Sequence, residues 1–420
     1  MNYQNSLAYA QQLDKDDPLA YLRNQFHIPK DKEGNDWLYF TGNSLGLQPK
    51  QTQKYIQQEL DDWANFGVEG HFEGETPWLP YHEFLTNNMA KIVGAKPLEV
   101  VVMNTLTTNL HLLMVSFYQP TKQKYKIVIE SDAFPSDRYA VQSQLQFHGF
   151  NTEDGLIEWK PRDGEELLRI EDLEAIVEEQ GDEIALLLIG GVNYYTGQYL
   201  DIKRIAEIGH AKNCMVGIDL AHGAGNVQPN LHDSGVDFAA WCTYKYLNSG
   251  PGSLSGLFVH EKHAHNKDLP RFAGWWNHNK ETRFNMRQPF DVMAGAEGWQ
   301  LSNPPILSMA AIRSSLDLFE KVGMDALREK SEKLTGYFEY LIKQIDTNRI
   351  KIITPSNPKE RGCQLSIQVQ NADKSLHQKL TDHHIITDWR EPDVIRCAPV
   401  PMYNSFEDVF RMVTTLKELL

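Results

Sequence analysis

Two charged residues, Asp219 and Lys245, stand where an α/β protein places reactive groups. The segment CMVGIDLAHGAG ends an apolar run at Asp219, and the segment WCTYKYLNSGPG places Lys245 between two tyrosines, before another apolar run. Ligands of open α/β sheets collect at the carboxyl ends of the strands. Each residue also has an ordinary explanation, because Asp219 could cap a following helix and Lys245 could extend to solvent.

Taken together, the two residues suit a site for pyridoxal phosphate. Apolar surroundings lower the pKa of an amine, which lets it form an imine with an aldehyde. A carboxylate beside the pyridine nitrogen favours the protonated ring by about 1–3 pKa units, or roughly 1.4–4 kcal/mol. A protonated ring is an electron sink. We therefore predict that Lys245 binds this cofactor covalently and that Asp219 pairs with its ring nitrogen.

Two further segments could hold the phosphate and the ring of the cofactor. Thr107 lies between the strand-like VVVM and the helix-like NLHLLMVSFY. A helix N-terminus there would offer free backbone N–H groups and a favourable dipole to an anion, although simple capping by the threonine is an equal alternative. Phe134 and Asp137 follow another predicted strand end, where they could stack on the ring and accept a hydrogen bond, or form an ordinary turn.

These residues need a framework that gathers strand ends. Short β-branched runs alternate with amphipathic stretches through the middle of the chain, which predicts βα units and a parallel sheet. The predicted strands are Val100–Met103, Lys126–Glu130, Ile184–Gly190, Cys214–Asp219, Val236–Trp241 and Leu254–His260. The predicted helices are Phe134–Phe147, Leu168–Glu179 and Ile202–Lys212, the last with Asp201 as its N-cap.

The pattern changes after Pro304-Pro305. The predicted elements there are the helices Ile306–Val322, Met324–Ile345 and Phe406–Leu420 and the strands Ile350–Thr354, Cys363–Val369 and Val394–Cys397. The predicted fold class is α/β, with a mostly parallel sheet covered by helices on both faces and a smaller α+β domain at the C-terminus. We expect a large domain over residues 40–300, a small domain over 301–420, and an N-terminal segment, 1–39, that packs on one of them.

Composition excludes several classes of protein. The 420 residues are 41% hydrophobic and 23% charged, which is typical of globular proteins and not of disordered chains. A net charge of −15 disfavours nucleic acid or an anionic membrane as the main partner. No apolar run approaches the roughly 18 residues that span a bilayer, and the first residues lack a signal-peptide pattern. The four scattered cysteines predict buried, reduced thiols, so we expect a cytoplasmic protein.

Segments spread over nearly the whole chain resemble the kynureninase family, a group of fold type I (aspartate-aminotransferase-like) pyridoxal-phosphate enzymes. The segments are YFTGNSLGLQP, AFPSDRYA, NYYTGQ, GIDLAHGAGNV, WCTYKYLNSGPG, GWWNH, LSNPP and IRCAPVPMYNSF. The resemblance implies hydrolytic cleavage of the Cβ–Cγ bond of L-kynurenine or 3-hydroxy-L-kynurenine to L-alanine and anthranilate or 3-hydroxyanthranilate. Such a reaction belongs to tryptophan degradation or NAD biosynthesis.

The resemblance also implies roles for individual residues. Lys245, Tyr244 and Asp219 would be catalytic, with Tyr244 as a proton donor or only a phosphate ligand. The implied cofactor contacts are Leu106, Thr107, Phe134, Pro135, Ser136, Asp137, Asp219, His222, Tyr244, Lys245, Trp275 and Asn303. The implied substrate contacts are Ser44, His71, Trp276, Ser302, Asn303 and Arg396. No metal ligand is implied.

Three of these implications concern selectivity and assembly. Arg396 would clamp the substrate α-carboxylate, a bidentate task that suits a guanidinium group. The polar set around His71 and Ser302 resembles that of relatives that accept the 3-hydroxylated ring, so we expect a preference for 3-hydroxykynurenine. Trp275 and Asn303 would reach the cofactor across the interface of a homodimer. Gly190 departs from the family pattern, which often has a serine as a cofactor contact at this position.

Three other functions remain open at this level. A cysteine desulfurase or an aminotransferase would keep the fold, but a desulfurase needs a mobile cysteine and Cys363 lies in a strand-like pattern. A metal-dependent hydrolase would use His260, His263 and His265, or the pair His383-His384, although the first group is typical of a solvated turn. A non-enzymatic interaction protein would have no use for Lys245.

Overall fold

The computed structural model describes residues 3–286 and 289–420. Its two larger sheets have seven and four strands, and helices pack around them. The strands are β1 Leu38–Tyr39, β2 Val100–Met103, β3 Lys126–Glu130, β4 Leu156–Trp159, β5 Ile184–Gly190, β6 Met215–Asp219, β7 Phe238–Cys242, β8 Ser255–Val259, β9 Ile350–Ile352, β10 Leu365–Val369, β11 Ile385–Ile386, β12 Asp388–Arg390 and β13 Val394–Cys397. The helices are α1 Leu7–Lys15, α2 Thr52–Phe66, α3 Glu83–Val93, α4 Leu106–Phe117, α5 Pro135–Phe147, α6 Thr152–Gly155, α7 Ile170–Gln180, α8 Ile202–Ala211, α9 Leu231–Ser234, α10 Ile306–Val322, α11 Met324–Lys343, α12 Lys374–Asp382 and α13 Phe406–Leu419.

The large sheet has seven strands in the order β2-β8-β7-β6-β5-β3-β4. The neighbouring strands from β7 to β4 are parallel, while β8 is antiparallel to both β7 and β2. Its central strands are continuous buried runs such as FAAWC in β7, as expected for strands covered on both faces. Two separate core clusters contain alternate residues of these strands, with Ile189 in one and Leu188 in the other, so helices cover both faces.

The parallel strands bring their carboxyl ends to one edge of the sheet. Glu130 ends β3, Gly190 ends β5 and Asp219 ends β6, and Gly190 is paired in register with Asp219. Lys245 follows the end of β7 in the loop that leads to β8. The chain therefore gathers its candidate reactive groups because strand ends meet there, although the residues are far apart in sequence.

The C-terminal region forms a smaller sheet in the order β12-β13-β10-β9, in which all neighbours are antiparallel. The helices α11 and α13 pack together over a third core cluster that includes Phe338 and Met412. The N-terminal segment joins both regions, since Ala10 and Phe40 belong to this cluster while Leu22 and Phe26 belong to the first. The division into 1–39, 40–300 and 301–420 stays a prediction.

The sequence pattern located most of the central elements. The strands Val100–Met103, Lys126–Glu130 and Ile184–Gly190 and the helix Ile306–Val322 have the predicted bounds, and the Asp201 side chain caps α8 by accepting from the Arg204 N–H. The fold class is confirmed. The predicted ends of the remaining elements differ by a few residues, because caps and turns set them. The antiparallel direction of β8 was not anticipated, since a short apolar run carries no information about direction.

Two predictions about side chains have clear outcomes. All four cysteines are free and buried, as expected. The expectation that the histidines after β8 form a solvated turn is wrong for His260 and His263, whose side chains are only 13% and 15% exposed. A buried carboxylate explains the difference for His263, because its Nε2 lies 2.8 Å from Asp237 Oδ1. Across the described residues, none of the helices has the length and apolarity needed to cross a membrane.

Candidate active site

A cavity of about 350 Å³ opens at the carboxyl edge of the large sheet. The large sheet, the segment that follows β1 and the small sheet all contribute to its wall. The lining residues are Asn43, Ser44, Thr105, Leu106, Thr107, Glu130, Asp132, Ala133, Phe134, Ser136, Asp137, Gly190, Val192, Asn193, Tyr194, Asp219, Ala221, His222, Tyr244, Lys245, Arg390 and Arg396. The predicted site residues that come together there are Ser44, Leu106, Thr107, Phe134, Ser136, Asp137, Asp219, His222, Tyr244, Lys245 and Arg396.

Lys245 and His222 form the centre of the cavity. The Lys245 Nζ lies 3.0 Å from His222 Nε2 and 5.9 Å from the centroid of the Phe134 ring. Burial, together with the positive charge of Lys245, holds the pKa of His222 well below its usual value. The imidazole is therefore neutral, and its Nε2 can accept a hydrogen bond from the lysine. Its Nδ1 is buried, and none of the described residues forms a hydrogen bond with it.

Two carboxyl groups, Asp219 and Asp137, lie beside this pair. Asp219 is 7% exposed and Asp137 is 8% exposed, and their side chains are hydrogen-bonded to each other. Burial raises the pKa of Asp219, and burial with the nearby Asp219 charge raises the pKa of Asp137 well above its usual value. Two buried carboxylates in contact favour sharing a proton. A cationic N–H group in the cavity would replace that proton as the partner of Asp219.

Glu130 adds a third buried carboxyl group to the wall. Its Oε1 accepts a hydrogen bond from the Gly190 N–H at 3.0 Å. Burial raises the pKa of Glu130 to about 7, and the Asp219 charge contributes in the same direction. A Cβ atom at position 190 would lie 2.8 Å from Glu130 Oε1. The Glu130 carboxyl group therefore occupies the space that a side chain at this position, such as serine, would need.

One end of the cavity is suited to an anion. The N-terminus of α4 points into it, and its N-cap, Thr105, makes no side-chain capping bond, so the first backbone N–H groups are available. The hydroxyl oxygens of Thr107 and Ser136 lie 2.7 Å apart beside this helix end. Backbone N–H groups, hydroxyl groups and the helix dipole are the usual donor set for a phosphate.

The opposite end contains two arginines, Arg390 and Arg396, from neighbouring strands of the small sheet. Arg396 is 1% exposed and donates from Nη1 to the Tyr194 carbonyl oxygen at 2.6 Å and from Nη2 to the Asp388 carboxylate. Its Nε has no partner. A buried guanidinium with a free N–H group is a suitable receptor for a carboxylate.

Six predicted site residues do not line the cavity of this chain: Pro135, His71, Trp275, Trp276, Ser302 and Asn303. Trp275, Ser302 and Asn303 are exposed, and His71 lies with Nδ1 2.9 Å from the Val68 carbonyl oxygen. Trp276 has no exposed surface, and the Arg283 guanidinium lies 4.1 Å from its ring centroid. A contact between Trp276 and a ligand would require this packing to open. The roles of all six stay predictions.

The structure adds residues that the sequence did not reveal. Glu130 had a weak signal, since it is a charged residue at the end of an apolar strand. Tyr194 stands with its ring 5.4 Å from that of Phe134 at 81°, and Asn43 and Arg390 come from distant segments of the chain. Nothing in a single sequence connects such segments with the cavity.

The donor set fits pyridoxal phosphate on independent grounds. A partly buried amine is available for the aldehyde, a buried carboxyl pair for the ring nitrogen, an aromatic ring for the face of the pyridine, and a helix N-terminus for the phosphate. The unpartnered His222 Nδ1 and Asp137 Oδ1 are buried polar atoms that a ligand in the cavity could satisfy. Fold and site together define a pyridoxal-phosphate-dependent enzyme of fold type I.

Comparison with known proteins supports that class and narrows it. The model of the family "Kynureninase C-terminal domain" matches residues 327–416. Kynureninase of Myxococcus xanthus is 56% identical over 99% of this chain and 97% of its own length, and mouse kynureninase is 48% identical over 98% and 92%. The chain belongs to the kynureninase family, whose members are hydrolases acting on a carbon–carbon bond.

Solved structures share the fold at low sequence identity. A mutant of the cystine lyase C-DES, with glycine covalently linked to its pyridoxal-phosphate cofactor, superposes with a TM-score of 0.78 at 16% identity, over 94% of this chain and 99% of that one. The apo cysteine desulfurase of Thermococcus onnurineus gives 0.74 at 19% identity over 97% of both chains. The desulfurase alternative therefore matches in fold alone, and its required mobile cysteine is absent at Cys363, which is 1% exposed.

Proposed function

We propose that this enzyme hydrolyses L-kynurenine and 3-hydroxy-L-kynurenine at the residues gathered in the cavity. The observation that carries the proposal is the presence of Lys245, Asp219 and Arg396 in the wall of one cavity. Lys245 would bind the aldehyde carbon of pyridoxal phosphate, Asp219 its ring nitrogen, and the α4 N-terminus its phosphate. Pyridoxal phosphate supplies an electron sink for bonds that break at the substrate Cα and Cβ atoms.

The proton movements are assigned to side chains that line the cavity. Once released by the substrate amine, the Lys245 Nζ would remove the Cα proton, and His222, whose Nε2 lies 3.0 Å away, would orient it. Burial raises the pKa of Tyr244, so its phenol keeps the proton that Cβ must receive. Water would add its hydroxyl to the aryl ketone carbon, and its second proton would replace the one that Tyr244 gives to Cβ as the Cβ–Cγ bond breaks. The Lys245 Nζ would return a proton to Cα. L-Alanine and anthranilate, or 3-hydroxyanthranilate, are released.

The substrate would be oriented by the arginine end of the cavity. Arg396 would receive the α-carboxylate through its Nε, which no other described residue bonds, while the Ser44 hydroxyl beside it donates to Asp388. The substrate amine would then be directed toward Lys245, which lines the same cavity. Positioning of this kind converts binding energy into a lower barrier at the reacting atoms.

The central test is the substitution Lys245→Ala. We expect the purified variant to retain no covalently bound cofactor after borohydride reduction and to lose turnover of both kynurenines by several orders of magnitude. Lys124→Ala is a matched control, because it removes a partly buried lysine that donates to backbone carbonyl oxygens far from the cavity. Full turnover by the Lys245 variant would refute the assignment.

We further propose a preference for the 3-hydroxylated substrate, supported by the polar residues His71, Ser302 and Asn303. None of the three lines the cavity of a single chain, so they would bond the substrate hydroxyl from the neighbouring chain of a dimer. Polar groups that bond a substrate hydroxyl discriminate strongly against the analogue that lacks it. The measurement is kcat/KM for both substrates. A clear preference for unhydroxylated kynurenine would contradict the proposal.

We also propose that the enzyme is a homodimer whose sites are completed by Trp275 and Asn303 of the neighbouring chain. Exposed apolar side chains support an interface there: Trp63, Phe66, Val68, Phe72, Phe272, Trp275, Phe284, Met286 and Phe290. Mixing a Lys245→Ala chain with a Trp275→Ala chain should restore activity, because half of the mixed molecules are hybrids and each hybrid keeps one intact site. Recovery of about a quarter of the wild-type activity is expected, whereas no recovery would contradict shared sites.

We infer a cytoplasmic location and a role in tryptophan breakdown or NAD synthesis. The four free, buried cysteines and the reaction class support these two statements. Cell fractionation and metabolite analysis of a deletion strain would test them separately.

A further inference from the structure

The arginine that would receive the substrate carboxylate is already paired with a carboxylate of its own chain. Asp388 Oδ2 accepts hydrogen bonds from the Ser44 hydroxyl at 2.7 Å and from Arg390 Nη2 at 3.2 Å, and it contacts Arg396 Nη2. The Asp388 side chain is only 13% exposed, while Arg396 is almost fully buried. A single carboxylate oxygen therefore holds three donors, all of which line the cavity although Asp388 itself does not.

The position of Arg396 does not depend on Asp388. Its Nη1 donates to the Tyr194 carbonyl oxygen at 2.6 Å, and its backbone is fixed in register between Ser366 of β10 and Asp388 of β12. The guanidinium would therefore keep its place if the charge of Asp388 were removed. What would change is the electrostatic balance, because a buried guanidinium would lose its counter-charge.

Asp388 pairs with both Arg390 and Arg396 in this part of the cavity. Asp132 also lines the cavity; burial raises the pKa of Tyr194, and the charges of Asp132 and the two arginines act on that pKa as well. The Nε of Arg396, which no other described residue bonds, is therefore the donor left for a ligand. A bound α-carboxylate would meet the same guanidinium that Asp388 neutralises in the empty site.

We propose that Asp388 is an affinity-determining residue that competes with the α-carboxylate of substrate and product for Arg396. The proposal rests on the proposed role of Arg396 as the carboxylate receptor. Asp388 stabilises the empty site, and every α-carboxylate ligand binds more weakly in consequence. L-Alanine, a product that retains this carboxylate, is therefore released more readily.

The test is the variant Asp388→Asn, prepared as the cofactor-loaded enzyme. Removing the counter-charge destabilises the free site more than the occupied one, so we expect the Kd of L-alanine to fall about tenfold. The Kd is read from the change in cofactor absorbance during titration. Steady-state kinetics should show a lower KM with a kcat that is equal or reduced, because alanine leaves more slowly.

A matched control removes a carboxylate from the same hairpin without touching an arginine. Asp393 accepts only from Gln368 among side-chain donors, at 3.2 and 3.4 Å, and Asp393→Asn should leave the Kd of L-alanine unchanged. If Asp388→Asn fails to fold, Asp388→Ser is the second variant and the same decrease in Kd is expected. A Kd that is unchanged or higher in the Asp388 variant overturns the proposal.

The variant Arg396→Lys separates the proposed competition by Asp388 from the proposed role of Arg396 as the carboxylate receptor. Weaker L-alanine binding in Arg396→Lys, combined with no decrease in Kd in Asp388→Asn, would refute only the competition by Asp388. Unchanged L-alanine binding in Arg396→Lys would refute the role of Arg396 and with it the competition.

Discussion

The substitution Asp219→Asn should separate activity from stability in this enzyme. In the proposed site the carboxylate would favour the protonated ring nitrogen of the cofactor by about 1–3 pKa units, and each unit is tenfold in that equilibrium. The amide has nearly the same shape, and its oxygen can still accept from the Ala221 N–H as Asp219 Oδ1 does at 2.6 Å. We therefore expect turnover to fall roughly 10- to 1000-fold while the fold is kept.

Stability should move in the opposite direction when the cofactor is absent. Burial raises the pKa of Asp219 in the folded chain, so the folded state holds this proton more tightly than the unfolded state does. The contribution of the carboxyl group is fully present below its unfolded pKa of about 3.9 and is lost as the pH rises through the folded value. An amide does not ionise and avoids this loss.

The assay compares thermal unfolding of the cofactor-free wild type and Asp219→Asn at about pH 4 and about pH 8. The difference in Tm between variant and wild type should become more favourable to the variant at the higher pH. The same proteins, loaded with cofactor, are assayed for kynurenine cleavage. The reasoning would be refuted if the Tm difference between variant and wild type became less favourable to the variant at the higher pH. Turnover of the variant at the wild-type rate would also refute it.

Three further outcomes are expected from packing and ion pairs. Arg361→Met should lower the unfolding free energy by about 3–5 kcal/mol, because it removes a buried partner of Glu339 at 2.6 Å. Lys343→Met removes an exposed partner of the same carboxylate and should cost less than about 1 kcal/mol. Equal costs of the two variants in a urea titration would contradict the argument from burial. Gly46→Ala should lower both stability, by about 1–3 kcal/mol, and activity, because a Cβ atom there would overlap the Lys245 carbonyl oxygen and the Asn248 side chain. No cysteine should react with a thiol reagent in the native enzyme while all four react in denaturant, and rapid native labelling would show that the thiols are accessible.

The sequence predicted the centre of this molecule better than its edges. The strand Ile184–Gly190 could be read from its composition, because a run of buried aliphatic residues in a parallel sheet needs no tertiary information. Lys245 and Asp219 could be found because each is a charged residue that follows an apolar run and is close to glycines and aromatic or histidine residues. Their closeness follows from topology alone, once the strands are taken as parallel.

The remainder depends on contacts between distant segments. The Asp388 carboxylate accepts a hydrogen bond from Ser44, which lies 344 positions away in the sequence. No local sequence pattern predicts such a contact. His263 looked solvated because the residues around it are charged, yet its partner Asp237 comes from the start of another strand. Local patterns report periodicity and capping, while these interactions depend on which loops the completed fold brings together.

The short parallel pairing of β1 with β11 has a consequence for biosynthesis. Leu38 and Tyr39 are in register with Ile385 and Ile386. Strand β1 is synthesised early, but it can pair with β11 only after the ribosome has synthesised most of the chain. The stretch from Thr41 to Gly46, directly after β1, forms part of the cavity wall and meets the loop that carries Lys245, since the Gly46 N–H donates to the Tyr244 carbonyl oxygen at 2.8 Å. Nascent chains should therefore be unable to close their catalytic chamber before translation is almost finished, however early the central sheet condenses.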